Sequence, residues 1–429
     1  MLQAAAVGFE DGGVRMKPLS ESERRFAASL TEAAMGIDAL ARRDPVTLAA
    51  LGPVKFVPLY SGEALIQPRP YRSWEEARAN LQALRARLED LDHGPRRVFS
   101  AAMLVSLAAA ARLFSGGNLT FADKVADLAG ADAGPVAAHV SDECSDAIDA
   151  SLRRLGHSRG PLADRLQTWE SERRIAPEDI ARDFAALAAQ ARRRTQDRIF
   201  DTGGYTMALT PVRGVTYTAR CGFASRQMQL NMDIVFTRAS LKHLICHEIF
   251  PGHATQMLST RSFVEDGTSG ADALLCAANA VTGCVQEGIG DQAVELIEWV
   301  EDEDDLIYAA LKRLRSAEQA TAAWRLMAEG ADEAGVASDL KERAFGQDAW
   351  VAGRLAMARH PFNGPFIATY WTGGECVRKA RERVTPAQRR AFLRTLYGDA
   401  HSPGSLALFG ADEPPARERR SSRTGRGGP

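Results

Sequence analysis

Along most of this chain, apolar residues recur at the three- and four-residue spacing of a single helix face, bracketed by polar punctuation. Ser73-Trp74-Glu75-Glu76 reads as a capping box opening an amphipathic helix that runs to about Asp92. Pro177-Glu178-Asp179 opens another toward Arg198, with acids in its first turn and arginines later, the order the helix dipole favours. Thr385-Pro386-Ala387-Gln388 begins a third, with Pro at its first position. The Ala- and Leu-rich stretches 96–115 and 135–155 read as buried bundle helices. From Gly203 to Asp233 the pattern changes. Thr206, Leu209, Val215, Tyr217 and Met228 fall among polar neighbours, with Pro211 and Gly214 as turn residues, which predicts two or three short antiparallel strands. The expected fold is therefore mainly α, with a small antiparallel β element just before a His-rich helix. Residues 1–200 are expected to form a helical region packing on a second part, 201–400. Residues 401–429 form a tail, Pro/Arg/Ser/Gly-rich and expected to be disordered from about 413.

Composition narrows the picture. The 429 residues are 45% hydrophobic and 25% charged, enough for a core of several layers. Lys+Arg (53) and Asp+Glu (55) nearly cancel to a net charge of -2, which gives no reason to expect nucleic acid or an anionic membrane as partner. The first residues, MLQAAAVGFEDGG, lack the basic and apolar regions of a secretory signal. The apolar run Ala101–Phe114 is interrupted by Ser106 and Arg112 and reads as too short to span a bilayer. Six Cys without a CxxC pair read as reduced thiols of a cytoplasmic protein. The acidic run Glu301–Asp305 reads as a solvated helix start or loop.

The candidate chemistry lies in His247-Glu248-Ile249-Phe250-Pro251-Gly252-His253. Three of the eight histidines, His243, His247 and His253, fall within eleven residues. Two imidazoles and a carboxylate directly after the first are what a zinc hydrolase needs: two neutral ligands and a base for water. In an unbroken helix His247 and His253 would lie about 120° apart and could not share an ion. Pro251, however, clashes with the carbonyl of His247, and Gly252 can adopt the backbone angles of a distortion. Two residues absorbed there would bring His253 back to the face of His247. The alternative is a plain helix end with polar histidines near a surface. A third ligand is supplied best by Glu287, on an Ala-rich helical stretch starting near Ala271, where a carboxylate among apolar residues needs a partner.

HEIFPGHATQ followed by QEGIGDQ resembles the domain-of-unknown-function-885 family of zincin-like proteins, whose pattern is His-Glu-x-x-Pro-Gly-His-x-x-Gln and, some thirty residues on, Glu-Gly-Trp-Ala. The resemblance implies a helical zincin-like metallohydrolase holding one Zn2+ per chain on His247, His253 and Glu287, with Glu248 as general base. The segment His360–Gly373 is similar to a later family segment and aligns Tyr370 with the family Tyr, and Arg381 with an Arg on the same helix. The likeness covers roughly residues 200–400. It departs at Ile289-Gly290, where the family has Trp-Ala, and at Arg325, Glu329 and Glu333, where an Arg…His segment is expected.

The expected activity is hydrolysis of a peptide or small amide. In this scheme Glu248 moves the proton, and Tyr370, or less favourably His360, donates to the developing oxyanion. His243 is expected beside the ligands rather than among them. Arg381 is a candidate for a substrate carboxylate, and the strand ending at Asn231 for pairing with an extended peptide. Two other functions stay open. One is a zinc enzyme acting on a non-peptide molecule in specialised metabolism, and the other is a helical binding protein with a relic motif.

Overall fold

Capping and burial set where the helices begin. The computed structural model describes residues 18–45, 47, 49, 64–215, 217–276 and 280–409, and the expected disordered tail from 413 lies outside them. Helix α1 (Glu21–Ala41) opens on a capping box between Ser20 and Glu23. In α2 (Trp74–Ala86) the expected box is half made. The Ser73 side chain accepts from Glu76 N, but the Glu76 carboxylate turns back to the backbone N–H of Arg72 (2.8 Å). A 3-10 turn, Arg87–Asp90, then carries the chain to the predicted end.

Helix α3 (Pro95–Phe114) starts at a Pro ahead of the apolar run and reaches 20 residues. This corrects the expectation of a run too short to span. Among the described residues α3 is the one helix long and apolar enough to cross a membrane by length and composition, with 56% of that window buried. Phe99, Met103 and Leu107 of α3 share a core with Phe26, Leu30 and Ile37 of α1 and with Leu274, Leu275 and Val281. Burying each such side chain contributes roughly 1.5–3 kcal/mol.

Helices α4 (Ala138–Arg154), α5 (Leu162–Glu172) and α6 (Ile180–Arg198) precede a three-stranded sheet of β1 (Ala208–Val212), β2 (Ala219–Gly222) and β3 (Gln227–Asn231). The strand order is β1-β3-β2. The hairpin β2–β3 is antiparallel as expected, but β1 pairs with β3 in parallel, Ala208 opposite Gln227. The chain after β1 crosses to the far side of β3 before returning, so the two strands run the same way. Pro211, which cannot donate to a ladder, fits edge strand β1. Met228 and Leu230 of β3 pack in one cluster with Phe184 and Leu187 of α6, Trp299, and Leu241 and Ile245 of α7 (Arg238–Glu248).

The remaining long helices are α8 (His253–Glu265), α9 (Val281–Asp291), α10 (Glu303–Met327), α11 (Glu333–Arg343), α12 (Asp348–Arg359), α13 (Ile367–Arg383) and α14 (Arg389–Gly398). Glu287 was expected on a helix from near Ala271. Instead Ala271–Leu274 is a 3-10 turn, and the helix begins only at Val281. Helices α9 and α13 meet backbone to backbone. A Cβ on Gly288 would lie 2.1 Å from the carbonyl oxygen of Gly373, and one on Gly373 would lie 1.9 Å from that of Cys284.

The acidic run before α10 is not simply solvated. Asp302 caps the helix, while Glu301 and the buried Asp305 both accept from Nζ of Lys242, a lysine only 1% exposed. The pair anchors α10 to α7.

Candidate metal centre

Thr237 and Ser240 form the capping box that starts α7, and its apolar face, with Leu241, Ile245 and Cys246, is fully buried. The helix stops at Glu248 because Pro251 cannot continue it. In its place the N–H of Gly252 reaches back to the carbonyl of Cys246 (2.8 Å), and the N–H and hydroxyl of Thr255 both bond that of Ile249 (3.2 and 2.9 Å). The Phe250–Pro251 peptide is cis. A Cβ on Gly252 would sit 1.7 Å from the His247 carbonyl oxygen, so only glycine fits. The distortion is therefore a break between two helices rather than a bulge in one. It sets the His247 and His253 rings 4.9 Å apart at 87°.

Glu287, on the facing helix α9, enters between them. Its Oε2 lies 3.4 Å from His247 Nε2 and its Oε1 lies 3.5 Å from His253 Nε2. The three side chains are 12%, 19% and 13% exposed for His247, His253 and Glu287, open enough to admit a small ligand. One ligand atom from each residue falls within 4.8 Å of the others. Atoms held about 2.1 Å from one ion in tetrahedral array stand about 3.4 Å from each other, so this donor set and spacing fit zinc.

Behind the triad, His247 Nδ1 lies 3.0 Å from Oδ1 of Asp291, which also pairs with Lys312. Burial alone would lower the His247 imidazole, but the bonds to Asp291 and then Glu287 outweigh it and raise the group to about 10. Burial opposes ionisation of Glu287 as well, yet the two histidines hold its carboxyl far below the usual range. A Cβ on Gly290 would come 2.7 Å from His247 Nδ1, so this glycine leaves room for the ring. Asp291 was not among the sequence candidates. The available signal was its position four residues after Glu287, on the same helix face.

His243 is buried with its Nε2 unpartnered, its ring 6.1 Å from His247 and 5.5 Å from Tyr308, and burial holds it neutral. With His247 and Asp291 it forms a second potential ligand group that shares His247. Glu248, the last residue of α7, stands against Cys221 of β2. Burial first, and then the Glu248 carboxylate, push that thiol well up. Phe223, just after β2, meets the His253 ring edge-on at 6.4 Å and 88°. Tyr370 stacks edge-on to Phe366 (5.6 Å), and burial together with Glu287 keeps its phenol protonated. It is therefore kept as a hydrogen-bond donor within reach of the Glu287 charge.

Two sequence candidates, Asn231 and His360, are committed to other bonds, and a third, Arg381, stands well along its helix from Tyr370. The Asn231 amide donates to the carbonyls of Val215 and Tyr217 (3.0 and 3.1 Å) and accepts from Asp233 N, tying down the crossover between β1 and β2. Its strand β3 is central, with both edges already paired, so it has none to offer a peptide. His360 Nδ1 accepts from the N–H groups of Phe362 and Asn363 (3.3 and 2.9 Å), closing the turn after α12. Arg381 lies eleven residues past Tyr370, about 16 Å along α13. Its Nε is buried without a partner, and its charge acts on Glu295. Arg325 pairs with Asp339 (2.6 Å) and Glu333 with Arg359, both among helices α10 to α12.

The sequence matches no family model and no curated protein. Solved structures do match in shape, two of them each described as a "putative lipoprotein". The one from Colwellia psychrerythraea is 14% identical, with a TM-score of 0.54 over 90% of this chain and 73% of its own. The other, of unknown function and from Shewanella oneidensis, is also 14% identical, with a TM-score of 0.49 over 86% and 72%. The likeness is one of fold.

Proposed function

We propose that this chain is a zinc-dependent hydrolase of the metallopeptidase kind, as its resemblance to the domain-of-unknown-function-885 family implies. The observation that carries the reading is the convergence of His247 Nε2, His253 Nε2 and the Glu287 carboxylate at 3.4–3.5 Å. His247, His253 and Glu287 would hold a zinc ion, which would supply Lewis acidity and lower the pKa of water toward neutrality. Glu248 takes the proton of the attacking water and returns it to the leaving nitrogen. Tyr370, kept protonated, donates to the oxyanion as it forms. Asp291, at Nδ1, would fix the tautomer of His247 and leave Nε2, on the side of Glu287, as the nitrogen able to hold a metal.

A peptide is favoured over other amides by β2. Among the described residues β2 pairs only with β3 and carries Cys221, whose side chain meets Glu248, and an extended main chain can add as a further strand to such an edge. For location, the description of the Colwellia psychrerythraea fold neighbour as a "putative lipoprotein" sets the cell envelope against the cytoplasm expected from six unpaired cysteines. Fractionation of cells carrying a tagged full-length chain decides between them.

The function is tested by metal analysis and by Glu248→Gln. The purified protein should carry about one zinc, and the variant should keep it while losing peptide-library cleavage by a factor of about 100 or more. A wild-type protein that takes up no zinc, or a variant that still cleaves, refutes the reading. Cleavage of amides but of no peptide transfers the activity to non-peptide substrates.

A further inference from the structure

Beside the triad lies a cavity of about 150 Å3, with His253 and Glu287 in its wall. It is a part-open cavity formed by α8, the 3-10 turn Ala271–Leu274, α9 and the chain at the end of α14. Met257, Leu274, Leu275, Val285, Ile289 and Phe366 give it an apolar lining. Its charged and amide wall groups are engaged, while the hydroxyls of Thr282 and Tyr397, uncharged, are buried without a partner. Gln256 Nε2 donates to the Gln286 carbonyl (3.2 Å) and Gln286 Nε2 donates to that of Leu275 (3.1 Å). Asp399, the one acid in the wall besides Glu287, pairs with Arg96 at 2.8 Å and accepts from Ser269 Oγ at 3.2 Å. The cavity therefore offers no free charge to a basic or acidic group. An apolar cavity of this size takes a single benzene-sized ring.

We infer that this cavity receives a bulky apolar side chain, aromatic or branched aliphatic, of the residue flanking the bond that is cut. The inference rests on the hydrolase reading of the triad. His253 and Glu287 belong both to the ligand set and to the cavity wall, so a carbonyl bound at the ligands lies within a few bonds of the cavity mouth. A hydrogen in place of that side chain leaves the apolar walls wet, and a charged group enters with no partner, so both are disfavoured.

The test is calorimetric titration of the full chain, zinc-loaded and zinc-stripped, with phenylalanine hydroxamate, glycine hydroxamate and toluene. The zinc-loaded protein should bind the phenylalanine compound at least about tenfold more tightly than the glycine compound. Toluene, which has no metal-binding group, should bind both forms. Met257→Trp, which fills the cavity from α8, should bring the two hydroxamates within about twofold and remove toluene binding. Thr260→Leu, one turn on, should reduce both effects in the same direction, and a cooperative melt checks that each variant is folded. Equal affinities in the wild type, or a preference that survives both folded variants, overturns the inference. A protein that takes up no zinc fails the hydrolase reading instead, and toluene then decides the cavity. Saturable binding lost in Met257→Trp keeps it, and no binding overturns it.

Discussion

His247 is held from both sides of its ring, with Nδ1 3.0 Å from Asp291 and Nε2 3.4 Å from Glu287, two acids one turn apart on the same helix. Only Glu287 belongs to the triad with His253. Asp291 acts through the histidine, orienting it and raising its basicity. Asp291→Asn should therefore weaken zinc binding by about 10- to 100-fold while leaving the fold intact. Competition with a chromophoric chelator measures this, and an unchanged zinc affinity would remove Asp291 from the site.

The same two contacts give zinc uptake a pH dependence of definite sign. The metal-free His247 imidazole, raised to about 10, is protonated at neutral pH and contributes stability that is complete below about 6.5 and lost as pH rises through about 10. Zinc needs the neutral ring, so binding at pH 7 should release this proton, and affinity should climb about tenfold per pH unit between 7 and 9. Calorimetry in buffers of different ionisation enthalpy counts the protons. Zinc uptake without proton release at pH 7 contradicts the raised value.

Gly252→Ala should be far more damaging than its size suggests. The added methyl would meet the His247 carbonyl oxygen, so the break between α7 and α8 must open and carry His253 away. Stability should fall by about 3 kcal/mol or more in urea unfolding, and zinc should be lost. Gly335→Ala is the matched control. Its Cβ would meet only Asp332 Oδ2, at 3.6 Å, so its effect should lie between neutral and about 1 kcal/mol stabilising.

Lys242→Met should cost about 3–5 kcal/mol, because it leaves Asp305 buried without its cation. The double variant with Asp305→Leu should recover most of that loss in thermal unfolding. A single variant as stable as the wild type would show that the pair contributes nothing between α7 and α10.

Local signals made much of this readable in the chain. Pro251 with Gly252 marked the interruption that the structure turns into a break, and capping residues placed several helix starts within a few positions. Non-local pairing was less visible. Nothing in Glu301–Asp305 itself reveals a buried lysine some sixty residues earlier, so the run read as solvated. Asn231 looked available because a polar residue ending a strand gives no sign that its amide is bound to two loop carbonyls. The parallel pairing of β1 was hidden for a related reason, since strand alternation fixes a face but not a neighbour. Asp291 showed only helical spacing, and its meaning required His247 to stand opposite.

The contact of Gly288 with Gly373 bears on how the site tolerates change. Glu287 and Tyr370 sit next to, and three residues before, the two positions where the main chains of α9 and α13 touch. Their separation is thus gauged by peptide groups in contact, with no side-chain rotamer in between to drift with temperature or repacking. Residues elsewhere around the site can be exchanged to suit a new substrate, while this one dimension stays as it is.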